Sequence, residues 1–275
     1  MAFTVKFWGV RGSIACPSPD HMVYGGNTSC VEVRAGDHVF ILDAGTGIRA
    51  LGRDLLQRGA QAATLLLTHT HLDHINGFPF FAPAFSPNFA LRIMAGHLGS
   101  KNGGIRAVLA NQMDNPTFPV PLSAMRGTVS FDDFRAGDTL TFAPGVVVRT
   151  APLNHPNGST AYRIEYGGAS VCYVTDTEHV PGQPDQVVLD LIAGADMVMY
   201  DTTYTDDEFP EKVGWGHSTW QEAVRLSKLA GVKRLVLFHH EPDHDDAFMA
   251  GVEAEAAALL PGTIAAREGM ELTLG

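Results

Sequence analysis

The sequence predicts one large α/β domain, on three observations. Its 275 residues, 45% of them hydrophobic, suffice for a sizeable core in a class that often exceeds about 200 residues as one unit. Short apolar runs that read as strands alternate with amphipathic helical stretches. No linker, repeat or low-complexity stretch divides residues 1–275.

Residues 3–8 (FTVKFW), 29–35 (SCVEVRA) and 38–43 (HVFILD) read as strands, and Ala35-Gly36-Asp37 supplies a hairpin turn. A tight glycine turn, AGTG (44–47), leads into a helix on which Ile48, Leu51 and Leu55 mark one face and Gly59 suits the C-terminal cap. ATLLLT (63–68) is a short buried strand. Strands resume at 146–150, 161–166, 170–175, 196–200 and 234–238. Thr219 and Glu222 form a capping box for a helix that turns Trp220, Ala223 and Val224 inward. The last helix, 245–260, carries Phe248, Val252, Ala256 and Leu259 on one side. Residues 75–128 are irregular, rich in Pro, Gly and aromatics, with GSKNGG at 99–104 and one helical stretch, IRAVLANQM. A segment of that length is a lid or pocket wall, or else a packing insertion.

The formal charge of −11 and the lack of any Lys/Arg block argue against non-specific nucleic-acid binding. Cys16, Cys30 and Cys172 are few and scattered, without metal-finger spacing, which reads as reduced thiols. The N-terminus shows no secretory pattern and no apolar stretch approaches membrane-spanning length, so a cytoplasmic location is expected.

The chemistry gathers where the ATLLLT strand ends, in THTHLDH. His69, His71, Asp73 and His74 crowd into six positions. Imidazole nitrogens and carboxylate oxygens are what zinc-like ions take. His69 and His71, two apart in an extended or turning segment, point the same way. Asp73 and His74 are offset enough to serve a second ion. Other donors also follow strands: His155, Asp176 and His239, with His240 as competitor for the last place. The remaining histidines, His21, His38, His97, His179 and His244 together with His240, have no spacing logic and read as surface or loop residues.

THTHLDH, LNHPNGSTAYRIE, CYVTDTE and LFHHEPDH, in that order, resemble the metallo-β-lactamase superfamily. The resemblance implies a metallo-β-lactamase fold, a four-layer αβ/βα sandwich with two sheets back to back and a dinuclear metal site at one edge. Carried over by position, His69, His71 and His155 would bind one ion, and Asp73, His74 and His239 the other. Asp176 would bridge them. The ions would be Zn²⁺, with Mn²⁺ or Fe²⁺ accepted by the same ligands.

YDTTYTDDE (200–208) and GHSTWQEAV (216–224) resemble the HEATF and HST signatures of the tRNase Z and phosphodiesterase branch, with Asp201 where that branch usually has Glu. The implied pair is His217, charged and oriented by Asp201 to donate a proton to a leaving oxygen; the alternative is a loop histidine and a solvated turn carboxylate. His217, Asp201 and Asp73 are the candidate catalytic residues. WGVRGSIACPSP and YGGNTSCVEV resemble bacterial members of the branch; Arg11 and Asn27 touch substrate or tie loops, and Gly25 and Gly26 serve turns.

The reaction implied is phosphodiester hydrolysis by a hydroxide between two ions about 3.5–4 Å apart. A small, possibly cyclic, phosphodiester fits better than precursor tRNA, because no basic arm is visible. Hydrolysis of a carboxylic ester, lactone or thioester on the same metals is the alternative, with Tyr204 or Tyr162 as a lactonase-type tyrosine. A non-catalytic metal-bound sensor or partner-binding protein is the reading of another class. A homodimer is common in the branch.

Overall fold

The computed structural model describes residues 3–99, 103–142 and 145–275; residues 100–102 of the GSKNGG stretch lie outside the described residues. The first half of the chain lays down β1 (Phe3–Gly9), β2 (Cys30–Ala35), β3 (His38–Leu42), β4 (Ala62–Leu67), β5 (Ala90–Ala95) and β6 (Thr128–Asp133) as neighbours in that order. The hairpins β1–β2–β3 are antiparallel, and β3 to β6 run parallel. A second sheet is built from β7 (Thr139–Thr141), β8 (Val146–Leu153), β9 (Ser159–Tyr166), β10 (Ala169–Val174), β11 (Met197–Asp201), β12 (Leu235–Phe238) and β13 (Ile264–Ala265), again in sequence order. The chain end returns to the first sheet as β14 (Glu271–Leu274) beside β1.

Alternation explains how each strand serves two layers, since successive side chains point to opposite faces. In β3, Phe40 and Leu42 join the core between the sheets, while Ile41 packs outward. In β10, Val171 and Tyr173 face inward; Cys172 and Val174 face outward. In β12 the inward pair is Val236 and Phe238. Outside the first sheet lie α1 (Ile48–Gln57), the short α2 (Leu72–Ile75) and α3 (Gly104–Gln112). Outside the second lie α4 (Gln186–Ile192), α5 (Trp220–Ala230) and α6 (Asp246–Leu259). The result is the expected αβ/βα sandwich of the metallo-β-lactamase fold.

Two expectations need correction. Residues 75–128 hold a strand, β5, besides the expected helix; Phe78, Phe81 and Phe89 are buried against α1. The inward face of α6 is Met249, Val252 and Ala256, while Phe248 and Leu259 stand 42% and 51% exposed. A spacing of three then four follows the helix period more closely than the repeated fours of Phe248, Val252 and Ala256. The capping box is present: Thr219 Oγ1 accepts the Glu222 amide at 3.1 Å, and Trp220, Ala223 and Val224 are buried.

Candidate metal centre

The parallel strands end at one edge of the sandwich, and their last turns supply the polar residues. Asp43 follows β3, Asp176 lies two residues past β10, and His239 follows β12; all three adopt left-handed φ, near 60°. That conformation costs a non-glycine residue about 1–2 kcal/mol. Here it turns each side chain out of its strand and toward the others.

The fold brings all seven expected ligands together. Donor atoms of His69, His71 and His155 lie within 4.8 Å of one another, as do those of Asp73, His74, Asp176 and His239. Asp176 sits between the two groups: Oδ1 is 3.8 Å from His69 Nε2 and 3.9 Å from His155 Nε2, and Oδ2 is 3.2 Å from His74 Nε2. His239 Nε2 lies 3.4 Å from both Asp73 and Asp176. His240 points elsewhere, bonding the Ala266 carbonyl at 2.9 Å under the ring of Tyr24. His179, His240 and His244, expected at the surface or in loops, are loop residues but buried.

Hydrogen bonds fix the tautomers. Asp43 accepts from His74 Nδ1–H at 2.8 Å and from the Thr68 hydroxyl at 2.9 Å. With its proton on Asp43, Thr68 Oγ1 accepts from His69 Nδ1–H at 3.1 Å. Asp201 does the same on the other side. Its Oδ1 takes the Thr203 hydroxyl at 2.7 Å, which leaves Thr203 Oγ1 to accept His239 Nδ1–H at 2.9 Å. The Gly216 carbonyl accepts His155 Nδ1–H at 2.8 Å. The Nε2 atoms of His69, His74, His155 and His239 are thus left to face the cluster.

These residues fit a pair of divalent ions. Four imidazole Nε2 atoms and the carboxylates of Asp73 and Asp176 converge in one small volume. His69 Nε2 is buried without any hydrogen-bond partner, and burial holds its imidazole well below the usual range. At His74 burial also opposes protonation, but Asp176, Asp73 and Asp43 outweigh it and push the imidazole up. The centre calls for positive charge, and the N/O donor set suits zinc-like ions.

His217 stands at the rim of this cluster. Its Nδ1 lies 3.1 Å from Asp201 Oδ2, and its ring stacks on His239 at 4.9 Å. Burial would lower its pKa; the Asp201 carboxylate outweighs that and raises it to about 9. Asp201 is fully buried at the end of β11, so it is no solvated turn residue, and its shorter side chain still reaches. Arg11 and Asn27 tie loops: Arg11 donates to the carbonyls of Gly25, Glu241 and His244, and Asn27 to Glu268. Asp43, Thr68, Thr203 and Ser13, whose amide caps Asp73 Oδ2 at 2.8 Å, escaped the sequence reading. Only Asp43, a carboxylate between an apolar strand and a glycine turn, left any signal there.

The beta-lactamase superfamily domain matches residues 38–240, and the chain belongs to that family. Ribonuclease Z of Brevibacillus brevis is 29% identical over 64% of this chain, which spans 49% of that protein. Ribonuclease Z of Mycobacterium avium is 27% identical, covering 91% of this chain and 90% of the other. Among solved structures, the metallo-β-lactamase fold protein YhfI from Bacillus subtilis superposes with a TM-score of 0.75 at 19% identity, over 99% of both chains. A diphosphatase from the PhnP family gives 0.70 at 17% identity, over 99% of this chain and 98% of its own. The solved structures show the fold, and the relatives fit the tRNase Z and phosphodiesterase-like branch of the family, a class of metal-dependent hydrolases. Among the described residues no helix is long and apolar enough to cross a membrane.

Proposed function

We propose that the protein hydrolyses a small phosphodiester at a dinuclear centre. His69, His71 and His155 would hold one divalent ion and Asp73, His74 and His239 the other, with Asp176 between them; zinc is the expected metal. Bound ions of this kind supply Lewis acidity and make water nucleophilic at neutral pH. The observation that carries the reading is the His217–Asp201 pair against the cluster. Asp201 keeps the imidazole charged and fixes its Nδ1–H, which leaves Nε2–H free to protonate a departing alkoxide. A thioester hydrolase has less need of such a donor, because a thiolate is far less basic than an alkoxide; a carboxylic ester or lactone expels the same alkoxide as an alkyl diester, so turnover separates those readings.

The substrate's size is argued from charge. Thirty acidic against nineteen basic side chains disfavour a long polyanion, whereas positive charge at the centre suffices for one phosphate. The ribonuclease Z names of the relatives support a second reading, cleavage of precursor tRNA. The test is turnover by zinc-loaded protein of bis-p-nitrophenyl phosphate, p-nitrophenyl acetate and a precursor tRNA. Diester turnover without tRNA cleavage is expected. Ester turnover alone would overturn the phosphodiesterase reading, and efficient tRNA cleavage the small-substrate one.

A further inference from the structure

We propose that Trp215 and Lys212 form a recognition platform beside the centre, and that the organic group it reads is a nucleobase. The inference deepens the phosphodiesterase reading, on which it rests for the phosphate. Trp215 is 59% exposed, yet its backbone is pinned on both sides. The Glu178 carboxylate accepts the amides of Gly214 and Gly216 through Oε2, each at 2.8 Å, and the Trp215 amide donates to the Lys212 carbonyl at 3.1 Å. Gly214 and Gly216 take φ of 90° and 87°, which a side chain would resist, and a Cβ on Gly216 would lie 2.3 Å from the His155 ring. The backbone that carries the indole is therefore held by the same short loop that orients His155 and delivers His217.

The charge beside it points the same way. Lys212 Nζ lies 4.5 Å from the centroid of the Trp215 ring and 5.6 Å from that of Tyr204, whose ring is 6.0 Å from His217. Lys212 forms no ion pair among the described residues. A flat indole on a pinned backbone, more than half open to solvent and with an ammonium against it, suits a flat π-system joined to an anion. A base stacks on the ring while its phosphate reaches the histidines. Stacking of this kind accepts any base, since each offers a π-face. An alkyl or bare sugar phosphate would use only the charge.

The test uses zinc-loaded protein and needs no turnover. Adenosine 5′-monophosphate and ribose 5-phosphate are titrated by calorimetry and by tryptophan fluorescence, where Trp220 is buried, Trp8 is half-buried and Trp215 is the exposed reporter, the part of the signal that Trp215→Leu removes. The nucleotide is expected to bind roughly tenfold tighter and to quench emission. Trp215→Leu should lose that tenfold with ribose 5-phosphate unchanged, and Trp215→Phe should restore most of it. Equal affinities in the wild type, or equal losses for both ligands in Trp215→Leu, would overturn the platform. Loss of diester turnover with base discrimination intact would instead strike at the catalytic reading, so the two failures are distinguishable.

Discussion

His74 and His239 face each other through their Nε2 atoms at 3.3 Å, with ring planes 16° apart. Each has spent its other nitrogen: His74 Nδ1–H on Asp43, His239 Nδ1–H on Thr203. Two such nitrogens need a cation between them, and a divalent ion displaces the proton that Asp176, Asp73 and Asp43 otherwise favour on His74. Divalent ions should therefore stabilise the fold by mass action, by about 2.7 kcal/mol at a hundredfold excess over Kd. Stripping with a chelator should lower the Tm by roughly 5–10 °C, reversibly on adding Zn²⁺. Scanning calorimetry with and without chelator checks this; an unchanged Tm would count against the centre.

Asp43 should matter as much as a ligand although it reaches no ion. It holds His74 directly and His69 through Thr68, and it also accepts from Tyr173 at 3.0 Å. Asp43→Asn keeps the shape and tolerates left-handed φ, but it cannot accept from every one of these donors. Metal affinity should fall roughly 10–100-fold, read by competition with a chromophoric chelator. Wild-type affinity would show that His74 and His69 orient themselves.

His217→Ala should lower kcat on a diester with an alkyl leaving group by roughly 10²–10⁴-fold, and far less on bis-p-nitrophenyl phosphate, whose p-nitrophenolate leaves unprotonated, while metal content stays at two ions per chain. Its protonated form is the active one, so activity should fall as pH rises through its pKa. Asp201 raises that pKa to about 9, and ions bound nearby would bring it down from there. In Asp201→Asn the raising carboxylate is gone, so the alkaline limb should move to lower pH. A limb that stays put, in a pH profile of kcat, would remove His217 from the proton-donor role.

How far the sequence foretold this site depends on how local each signal is. The strand–histidine junction at Leu67–His74 was legible because four donors lie within six positions behind an apolar run. His155, Asp176 and His239 were legible only through the resemblance, since each alone is an ordinary loop residue. Thr68 and Thr203 were invisible, because a hydroxyl that relays a hydrogen bond has no characteristic spacing; Thr203 works on a histidine 36 residues away. β5 was missed because ALRIMA carries an arginine and lies among prolines and glycines, although its Leu91 and Ile93 are buried. The α6 face slipped by one residue because Phe248 looked like core, while the fold uses it to stack on His244 at 3.9 Å.

Gly12 offers a steric test of the His239 position. A Cβ there would lie 2.2 Å from Cε1 and 2.3 Å from Nδ1 of His239. The Gly12 backbone is not left-handed, so Gly12→Ala brings no torsional penalty of its own; its amide bond to the His240 carbonyl, 3.0 Å, can persist. The added methyl must push the imidazole off Thr203 and out of the cluster. Metal content should fall from two ions toward one, with diester turnover lost, as elemental analysis and kinetics would show. Gly251, in α6, has open space where a Cβ would stand, with no atom within 4 Å, so Gly251→Ala should keep both ions and gain about 0.5–1 kcal/mol from helix propensity. Two ions and full activity in Gly12→Ala would mean that His239 does not need the place the fold gives it.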